Sequence, residues 1–292
     1  MEVTLLGTGD TTGTPTVGCE CETCRRARSP SPALRERLLE RGATVEDGLE
    51  RTRFSVHVRN ERTDESLLID FSPDFRRQFL REAVPLPDAA VVTHIHFDHL
   101  DGLGNVYRLF EEIDVHAADR TDPVTGESVA ETIASKYEYL DPVTVRPQSP
   151  FESFEACGFE LELVPVEHPP LSSYGLVVVD PVTDATLALT GDTSYAISDR
   201  ARRALADPDL LLADAIVPAS FCDRHPLGGA DHGPDGTPRT FGTKHMTREG
   251  ALALSEQLGA ERTRLVHLAH FYPAEEAFDA PLAADGERFV LG

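Results

Sequence analysis

The chain has no tryptophan, only two methionines, and very little lysine. It carries 27 basic residues against 50 acidic ones, for a formal net charge of −23, and its lysines are Lys136 and Lys244. So acidic a chain lacks the concentrated positive charge that a phosphate backbone requires, which argues against a nucleic-acid-binding partner. The acidic residues are spread along the chain rather than gathered in a tail. We therefore expect adaptation to a salty (halophilic) cytoplasm, where ions screen surface charge.

Long apolar runs are also absent. No run approaches the ~18 residues that a membrane-spanning helix needs, so we expect no membrane partner. Met1–Leu6 lacks a basic start and leads directly into a glycine turn, which predicts no targeting segment and a cytoplasmic location. At 292 residues the chain is long enough for one large domain, and we predict a single domain over residues 1–292.

The densest concentration of chemical groups is the segment 94–99, which holds three histidines and an aspartate. It follows the apolar run 89–92, which indicates a buried strand. Neutral imidazole and carboxylate are the ligands that hold Zn, Mn or Fe in hydrolytic sites. Asp98 and His99 are adjacent and cannot easily bind the same ion as His94 and His96. Two metals about 3.5–4 Å apart would use all four residues. The alternative is a surface loop that happens to be rich in histidine.

Three further candidates follow strand-like runs elsewhere in the chain: His168, Asp192 and His267. A lone histidine at a strand end is more often structural than ligating. Several strand ends that each carry a suitable residue favour a metal site, because open α/β sheets build their sites at strand ends. These three residues would supply each metal with one more histidine and the pair with a bridging carboxylate.

The ordered set resembles the metallo-β-lactamase-fold hydrolases over nearly the whole chain. The resemblance implies an α/β (α+β) fold, a four-layer αβ/βα sandwich of two mixed sheets flanked by helices. It also implies a dinuclear site. The implied first metal binds His94, His96 and His168, the second binds Asp98, His99 and His267, and Asp192 bridges both.

An N-terminal loop, residues 18–24, carries Cys19, Cys21 and Cys24. Three thiolates so close together can hold zinc with one more ligand, commonly histidine. Redox thiols and buried small side chains are the alternatives, and five cysteines in a chain without secretion signals disfavour a disulfide framework. If His267 serves the metal pair, His270 is free to complete a structural zinc site.

Three cysteines combined with a terminal His-x-x-His resemble the phosphoribosyl 1,2-cyclic phosphate phosphodiesterases of the carbon–phosphorus lyase pathway. They resemble less closely the pyrroloquinoline-quinone biosynthesis B proteins. The resemblance implies a structural zinc on the cysteines and His270, and a catalytic role for His245 at the scissile group. His245 also precedes a predicted helix capped by Thr247, where the helix dipole favours an anionic ligand. An ordinary polar loop residue is the alternative.

The sequence also suggests roles for a glycine-rich segment, an aspartate at a strand end and the two remaining cysteines. The glycine-rich segment 226–242 predicts either a mobile lid over the site or an ordinary surface loop. Asp70 ends a predicted strand and is expected to orient a ligand histidine. Cys157 and Cys222 are expected to be buried as small apolar side chains.

The predicted function is a dinuclear metal-dependent phosphodiesterase, a phosphoric diester hydrolase that opens a small cyclic phosphate with a metal-bridging hydroxide. Asp98 and Asp192 would set the charge of the pair, and either could hold the proton of the water. His245 would either stabilise the charge that develops on phosphorus or protonate the departing alkoxide. The cofactors would be two divalent ions, Mn, Zn or Fe, and one structural zinc. The substrate would be a small phosphate ester. The resemblance leaves a homodimer open.

The sequence leaves other functions of the same fold open. A thioester or lactone hydrolase is weakened by the Cys/His module. A tRNA 3′-processing nuclease is disfavoured by the acidic balance and the lack of a basic arm. A non-hydrolytic cofactor-biosynthesis protein is a further alternative, which a complete set of metal ligands would disfavour.

Sequence patterns predict alternating strands and helices. The predicted strands are Glu2–Leu6, Phe54–Arg59, Ser66–Asp70, Ala89–Thr93, Phe159–Val166, Gly175–Asp180, Thr186–Thr190, Leu210–Ala213 and Arg264–His267. The predicted helices are Ala33–Arg41, Pro73–Arg81, Gly102–Glu112, Ser128–Lys136, Ser198–Ala206 and Thr247–Leu258.

Overall fold

A computed structural model describes residues 1–46 and 48–292 of the protein. Its strands are β1 (Glu2–Gly7), β2 (Ser55–Arg59), β3 (Ser66–Ile69), β4 (Ala89–Val92), β5 (Ile113–Ala118), β6 (Val143–Gln148), β7 (Ser153–Ala156), β8 (Phe159–Val166), β9 (Ser173–Val179), β10 (Thr186–Leu189), β11 (Leu210–Asp214), β12 (Gly229–His232), β13 (Pro238–Phe241), β14 (His245–Met246), β15 (Arg262–Val266) and β16 (Arg288–Val290). Its α-helices are α1 (Glu22–Arg28), α2 (Pro32–Glu40), α3 (Phe75–Glu82), α4 (Phe97–Leu100), α5 (Val129–Lys136), α6 (Asp199–Ala204), α7 (Ala219–Cys222) and α8 (Arg248–Leu258), and a 3₁₀ helix spans Asp101–Val106.

Two large mixed sheets form the centre of the molecule. The first has the order β16-β1-β2-β3-β4-β5-β6 and the second the order β15-β11-β10-β9-β8-β7. In the first sheet β3, β4 and β5 run parallel while β1 and β2 are antiparallel. In the second sheet β10, β11 and β15 run parallel and β8 and β9 are antiparallel. The parallel strands carry near-continuous apolar runs because helices cover the outer face of each sheet.

Side-chain alternation along β11 shows how the layers pack. Leu210 and Leu212 belong to a core that joins the two sheets, whereas Leu211 and Ala213 face a second core shared with α2, α6 and α8. Successive side chains of a strand point to opposite faces, so one strand serves both cores. The first sheet is covered on its outer face by α3 and α5. The result is a four-layer αβ/βα sandwich, which confirms the predicted fold class.

The predicted strands are all present, with ends shifted by at most two residues. The helix predicted over Gly102–Glu112 is wrong, since only the 3₁₀ helix forms and the chain then turns at Arg108, which has a φ of 66°. Glycine explains the difference. Gly102 lies so close to the carbonyl oxygen of Ser72 that a Cβ would approach it to 1.9 Å, and glycine lowers helix propensity.

The segment 226–242 is not the irregular loop that its glycines predict. It contains β12 and β13, which pair with each other and, through β13, with β14 in a small antiparallel sheet. These strands are short and their sequences are polar, so they lack the apolar alternation that reveals a strand. Whether the hairpin moves as a lid stays a prediction.

No helix within the described ranges is both long and apolar enough to cross a membrane.

Candidate metal centre

The candidate residues meet at one edge of the two sheets, beyond the ends of five strands. Each follows a buried strand: Asp70 after β3, the segment 94–99 after β4, His168 after β8, Asp192 after β10 and His267 after β15. Apolar strands fix the backbone by burial, and the polar residues that follow them are held at the edge of the sheets.

The first cluster contains three histidines and an aspartate. The Nδ1 atom of His96 lies 3.0 Å from Nε2 of His94 and 3.3 Å from Nε2 of His168. Asp192 completes the cluster, with its Oδ2 atom 3.7 Å from His94 Nε2. One ligand atom from each of these four residues lies within 4.8 Å of the others, which suits a single divalent ion.

The second cluster contains Asp98, His99 and His267, and Asp192 of the first cluster lies against it. The Oδ2 atom of Asp192 lies 3.3 Å from His99 Nε2 and 3.2 Å from His267 Nε2. The Oδ2 atom of Asp98 lies 3.4 Å from His267 Nε2. Asp192 therefore lies between the two clusters, where a carboxylate could bridge two metals.

Hydrogen bonds fix the orientation of the imidazole rings. Asp70 accepts a hydrogen bond from His99 Nδ1 at 2.7 Å and another from the Thr93 hydroxyl at 2.8 Å. The same hydroxyl lies 3.0 Å from His94 Nδ1, and His168 Nδ1 donates to the carbonyl oxygen of Lys244 at 3.1 Å. In His94, His99 and His168, Nδ1 is engaged away from the centre and Nε2 points into it, as in many metal-binding histidines, whereas His96 faces the centre through Nδ1.

The side chains of the two clusters fit metal ions, because their lone pairs and carboxylates face one another unfavourably unless a cation lies between them. Nε2 of His94 and of His168 both carry a lone pair towards His96, which has one Nδ1 proton to offer at most. His99 Nε2 is buried without a hydrogen-bond partner among the described residues, and it faces the carboxylates of Asp98 and Asp192. A divalent cation would satisfy all of these atoms at once, so the His/Asp clusters suggest divalent metal ions.

The pKa values of the histidines also differ between the two clusters. Burial lowers the pKa of His94 far below its usual value, and burial lowers the pKa of His168 to about 3. For His99, burial opposes protonation, but the carboxylates of Asp192 and Asp70 raise its pKa well above the usual value. Neutral first-cluster histidines are ready to ligate, and the carboxylates around His99 call for a cation.

His245 lies beside both clusters. Its ring stacks on that of His267 at 4.9 Å between centroids, and its Nδ1 atom donates to Oδ2 of Asp214 at 2.9 Å. Asp214 is fully buried at the end of β11, where it also accepts a hydrogen bond from the backbone N–H of Thr193 at 3.0 Å. The ring of His245 is thus held with Nε2 as its free nitrogen.

Asp214 was not among the residues predicted for the site. The predicted strand stopped at Ala213, so its acidic neighbour was not recognised as another strand-end carboxylate. The pattern that revealed Asp192, an apolar run followed by an aspartate, is present at Asp214 too and could have identified it.

A cavity of about 220 Å³ opens over the two clusters. It is lined by Asp10, Thr11, His96, Phe97, Asp98, His168, Asp192, Ile216, Lys244, His245 and His267. The volume suits a small ligand, and it places His245 and both clusters in front of the same bound group.

A separate cluster joins the N-terminal loop to the segment after β15. The Sγ atoms of Cys19, Cys21 and Cys24 lie 3.4, 3.4 and 3.5 Å from Nδ1 of His270. Tetrahedral zinc with ordinary Zn–S and Zn–N bonds would place such atoms roughly 3.6 Å apart, so the cluster fits that ion. Cys222 is buried as expected, and Cys157 is partly buried.

Sequence comparison agrees with this geometry. A model described as the beta-lactamase superfamily domain matches residues 65–268, more than half of the chain. The chain belongs to the beta-lactamase superfamily. Among relatives of known sequence, an octanoyltransferase from Porphyromonas gingivalis is 27% identical over 280 residues, which cover 94% of this chain. The match covers 47% of that protein, so this superfamily member spans about half the length of the curated relative.

Solved structures place the superfamily fold over the full chain. A diphosphatase described as belonging to the PhnP family is 28% identical, with a TM-score of 0.71 over 99% of this chain and 96% of its own. PqqB from Methylobacterium extorquens, solved with Zn²⁺ bound, has a TM-score of 0.72 at 19% identity and covers both chains fully. The short human tRNase Z has a TM-score of 0.64 at 17% identity over both full chains. The last two show the fold alone.

The beta-lactamase superfamily fold thus brings together every residue that the sequence placed in the metal centre, and the family and its hydrolase neighbours support a metal-dependent hydrolase. The four residues of the cysteine cluster also meet. That these residues bind ions, and which ions, stays a prediction. Asp70 lies where it was expected, against His99.

Proposed function

We propose that the protein is a dinuclear metal-dependent phosphodiesterase that opens a small cyclic phosphate, similar to the phosphoribosyl cyclic phosphate phosphodiesterases. The observation that carries this proposal is the meeting of all seven candidate His/Asp ligands in two adjoining clusters beside His245, which Asp214 orients. The solved structure with 28% identity supports phosphate chemistry, because that protein is described as a diphosphatase from the PhnP family.

The first cluster would hold one divalent ion through His94, His96 and His168, and the second would hold another through Asp98, His99 and His267. Asp192 would bridge them. When bound, the pair would activate water as a nucleophile near neutral pH and neutralise the phosphoryl oxygens. Asp70 contributes by holding the His99 ring in place, and the Lys244 carbonyl does the same for His168.

His245 would deliver the proton that the leaving oxygen needs. Its Nδ1 proton is held by Asp214, and a second proton on Nε2 would face the cavity. The buried Asp214 carboxylate stabilises the imidazolium that this requires, as paired carboxylates do for catalytic histidines. Transfer of that proton to the departing alkoxide is worth about 10²–10⁴-fold in rate.

The cysteine cluster supports the same subgroup. We propose that Cys19, Cys21, Cys24 and His270 bind a structural zinc that ties the loop before α1 and the first turn of α1 to the segment after β15. The distances from each sulfur to His270 Nδ1 are nearly equal, as four-coordinate zinc would make them. Neither a tRNA nuclease nor a thioester hydrolase gains comparable support from a contact in this structure.

Phosphorus NMR of the Mn-loaded protein at high salt tests the proposal. The substrates are phosphoribosyl 1,2-cyclic phosphate and a 2′,3′-cyclic nucleotide, and the variants are His245→Ala and, as a matched control, His232→Ala. His232 lies exposed on β12. We expect ring opening that falls by at least ~10²-fold in His245→Ala and is unchanged in His232→Ala. No turnover of either substrate by protein with both metals bound would contradict the proposal.

A further inference from the structure

The two carboxylate oxygens of Asp214 have very different surroundings. Oδ2 accepts three hydrogen bonds, from His245 Nδ1 at 2.9 Å and from the backbone N–H groups of Thr193 at 3.0 Å and Met246 at 3.4 Å. Oδ1 is buried and has no hydrogen-bond partner among the described residues. A buried polar atom without a partner is rare in a folded protein, so the group that faces this oxygen matters.

The group that faces Asp214 Oδ1 is the ring of His267. Its Nδ1 atom lies 3.7 Å from Oδ1 and is likewise buried, with no hydrogen-bond partner in the described part of the chain. This separation is longer than a hydrogen bond. Each atom is nevertheless the partner that the other lacks, at a distance that a small rotation of the ring would close.

The fold brings the two residues together. Asp214 is the last residue of β11 and pairs with Val266, the last residue of the parallel strand β15, so His267 follows directly beside it. His267 has a φ of 58°, an uncommon conformation for a residue other than glycine. The ring of His245 lies nearly parallel to that of His267, with an interplanar angle of 10°. One carboxylate therefore faces the Nδ1 atoms of two stacked imidazole rings.

We propose that Asp214 is a positioning residue for His267 as well as for His245, with one carboxylate oxygen for each ring. This inference rests on the metal centre of the proposed function but not on its substrate. His267 faces Asp98 and Asp192 through Nε2, which is the atom that would bind the second ion. With Nε2 bound to a metal, the ring carries its proton on Nδ1, and that proton faces Asp214 Oδ1.

The second ion and the proton donor of the proposed reaction would then depend on the same carboxylate. A hydrogen bond to Oδ1 would fix the His267 ring for metal binding, while Oδ2 holds His245. Because both bonds end on the side chain of Asp214, binding of the second ion and the orientation of His245 would be coupled. Removal of the Asp214 charge should weaken metal binding, whereas loss of His245 alone should not.

Calorimetric titration of the metal-free protein with Mn²⁺ separates the two roles of Asp214. Mn²⁺ prefers carboxylate ligands to cysteine thiolates, so this titration reports on the His/Asp centre. We expect Asp214→Asn to weaken the binding of one Mn²⁺ ion roughly 10–100-fold. The matched control is His245→Phe, which removes the hydrogen bond to Asp214 but keeps a ring to stack on His267, and it should leave the metal affinity unchanged. Unchanged affinity in Asp214→Asn, or equal losses in both variants, would overturn the inference.

A crystal structure of the unaltered protein with metal bound provides a second test, which does not depend on the folding of a variant. We expect His267 Nδ1 to lie within about 3.2 Å of Asp214 Oδ1 when the second ion is bound. A separation that remains 3.7 Å or more with the ion in place would contradict the inference. If metal-loaded protein hydrolyses no cyclic phosphate, the proposed function fails while both measurements still decide the role of Asp214.

Discussion

The two candidate metal sites differ in burial and in what holds their ligands. In the His/Asp centre the rings of His94, His99 and His267 are buried, and the first two are hydrogen-bonded to Thr93 and Asp70. In the cysteine cluster Cys21 is exposed and Cys19 partly exposed. The polar contacts of the three sulfurs are with His270 and two backbone N–H groups. Protein contacts orient the side chains of the first site, whereas those of the second would need a bound ion to order them.

The two sites are nevertheless joined by a short stretch of chain. His267 belongs to one and His270 to the other, and between them Leu268 accepts a hydrogen bond from the backbone N–H of Asp10 and donates one to the carbonyl of Thr8. Asp10 itself lines the cavity. The His/Asp centre is thus attached to a segment that a zinc ion would hold, so we expect substitutions at the two sites to affect activity and stability separately.

The largest effect should come from Asp192→Asn, because Asp192 belongs to the first cluster and also contacts His99 and His267 of the second. We expect activity to fall by about 10³-fold or more and the metal content of that centre to drop, with the cysteine cluster unchanged. Asp184→Asn is the matched control, since Asp184 is exposed and asparagine tolerates its φ of 60°. Full activity in Asp192→Asn would show that no bridging carboxylate is needed.

Cys24→Ser should have the opposite selectivity: it should disrupt the cysteine cluster and spare the His/Asp centre. This change should remove the zinc and lower the melting temperature by roughly 5–15 °C, because structural zinc contributes directly to folding. The metals of the His/Asp centre should remain, because their ligands are oriented independently. Cys157→Ser, outside the cluster, should keep both the zinc and the stability. Simultaneous loss of all metals in Cys24→Ser would mean that the two sites form one unit.

A smaller effect is expected from Asp70→Asn, which leaves every proposed ligand in place. The side chain keeps one acceptor oxygen in place of two and loses the charge that faces His99. Activity and metal affinity should fall about 10–100-fold, less than in Asp192→Asn. Calorimetric titration of the metal-free protein with a divalent metal would measure the metal affinity. An unchanged metal affinity would show that Asp70 supports only the fold.

The smallest effect concerns the loop beside His168. The backbone N–H groups of Val124, Thr125 and Ser172 donate to Asp122, and after the opposing effect of burial these hydrogen bonds lower its pKa to about 2. A folded-state pKa below the unfolded value of about 3.9 gives stability that is complete above that pH and is lost as the pH falls through 2. Asp122→Asn should therefore be less stable than the unaltered protein at pH 6, with the difference shrinking towards pH 2. Urea unfolding at several pH values would show a constant difference if Asp122 made no such contribution.

Strand-end residues made most of the centre predictable from the sequence. Buried strands leave a strong apolar signal, and His168, Asp192 and His267 each follow one directly. The cysteine spacing was equally informative. Asp214 was not predicted because its strand extends one residue beyond the predicted end. The hairpin of β12 and β13 was not predicted because its residues are polar and half-exposed. Tertiary contacts, such as the carbonyl of Lys244 that orients His168, leave no local pattern at all.

Metal analysis of the purified protein tests the central claim most directly. Mass-spectrometric quantification of metals should find about three ions per chain in the unaltered protein, two in the His/Asp centre and one in the cysteine cluster. Cys24→Ser should retain about two ions and Asp192→Asn should lose at least one ion from the His/Asp centre while keeping the zinc. A single ion per chain that disappears in Cys24→Ser, with none at the His/Asp centre under any loading condition, would contradict the account.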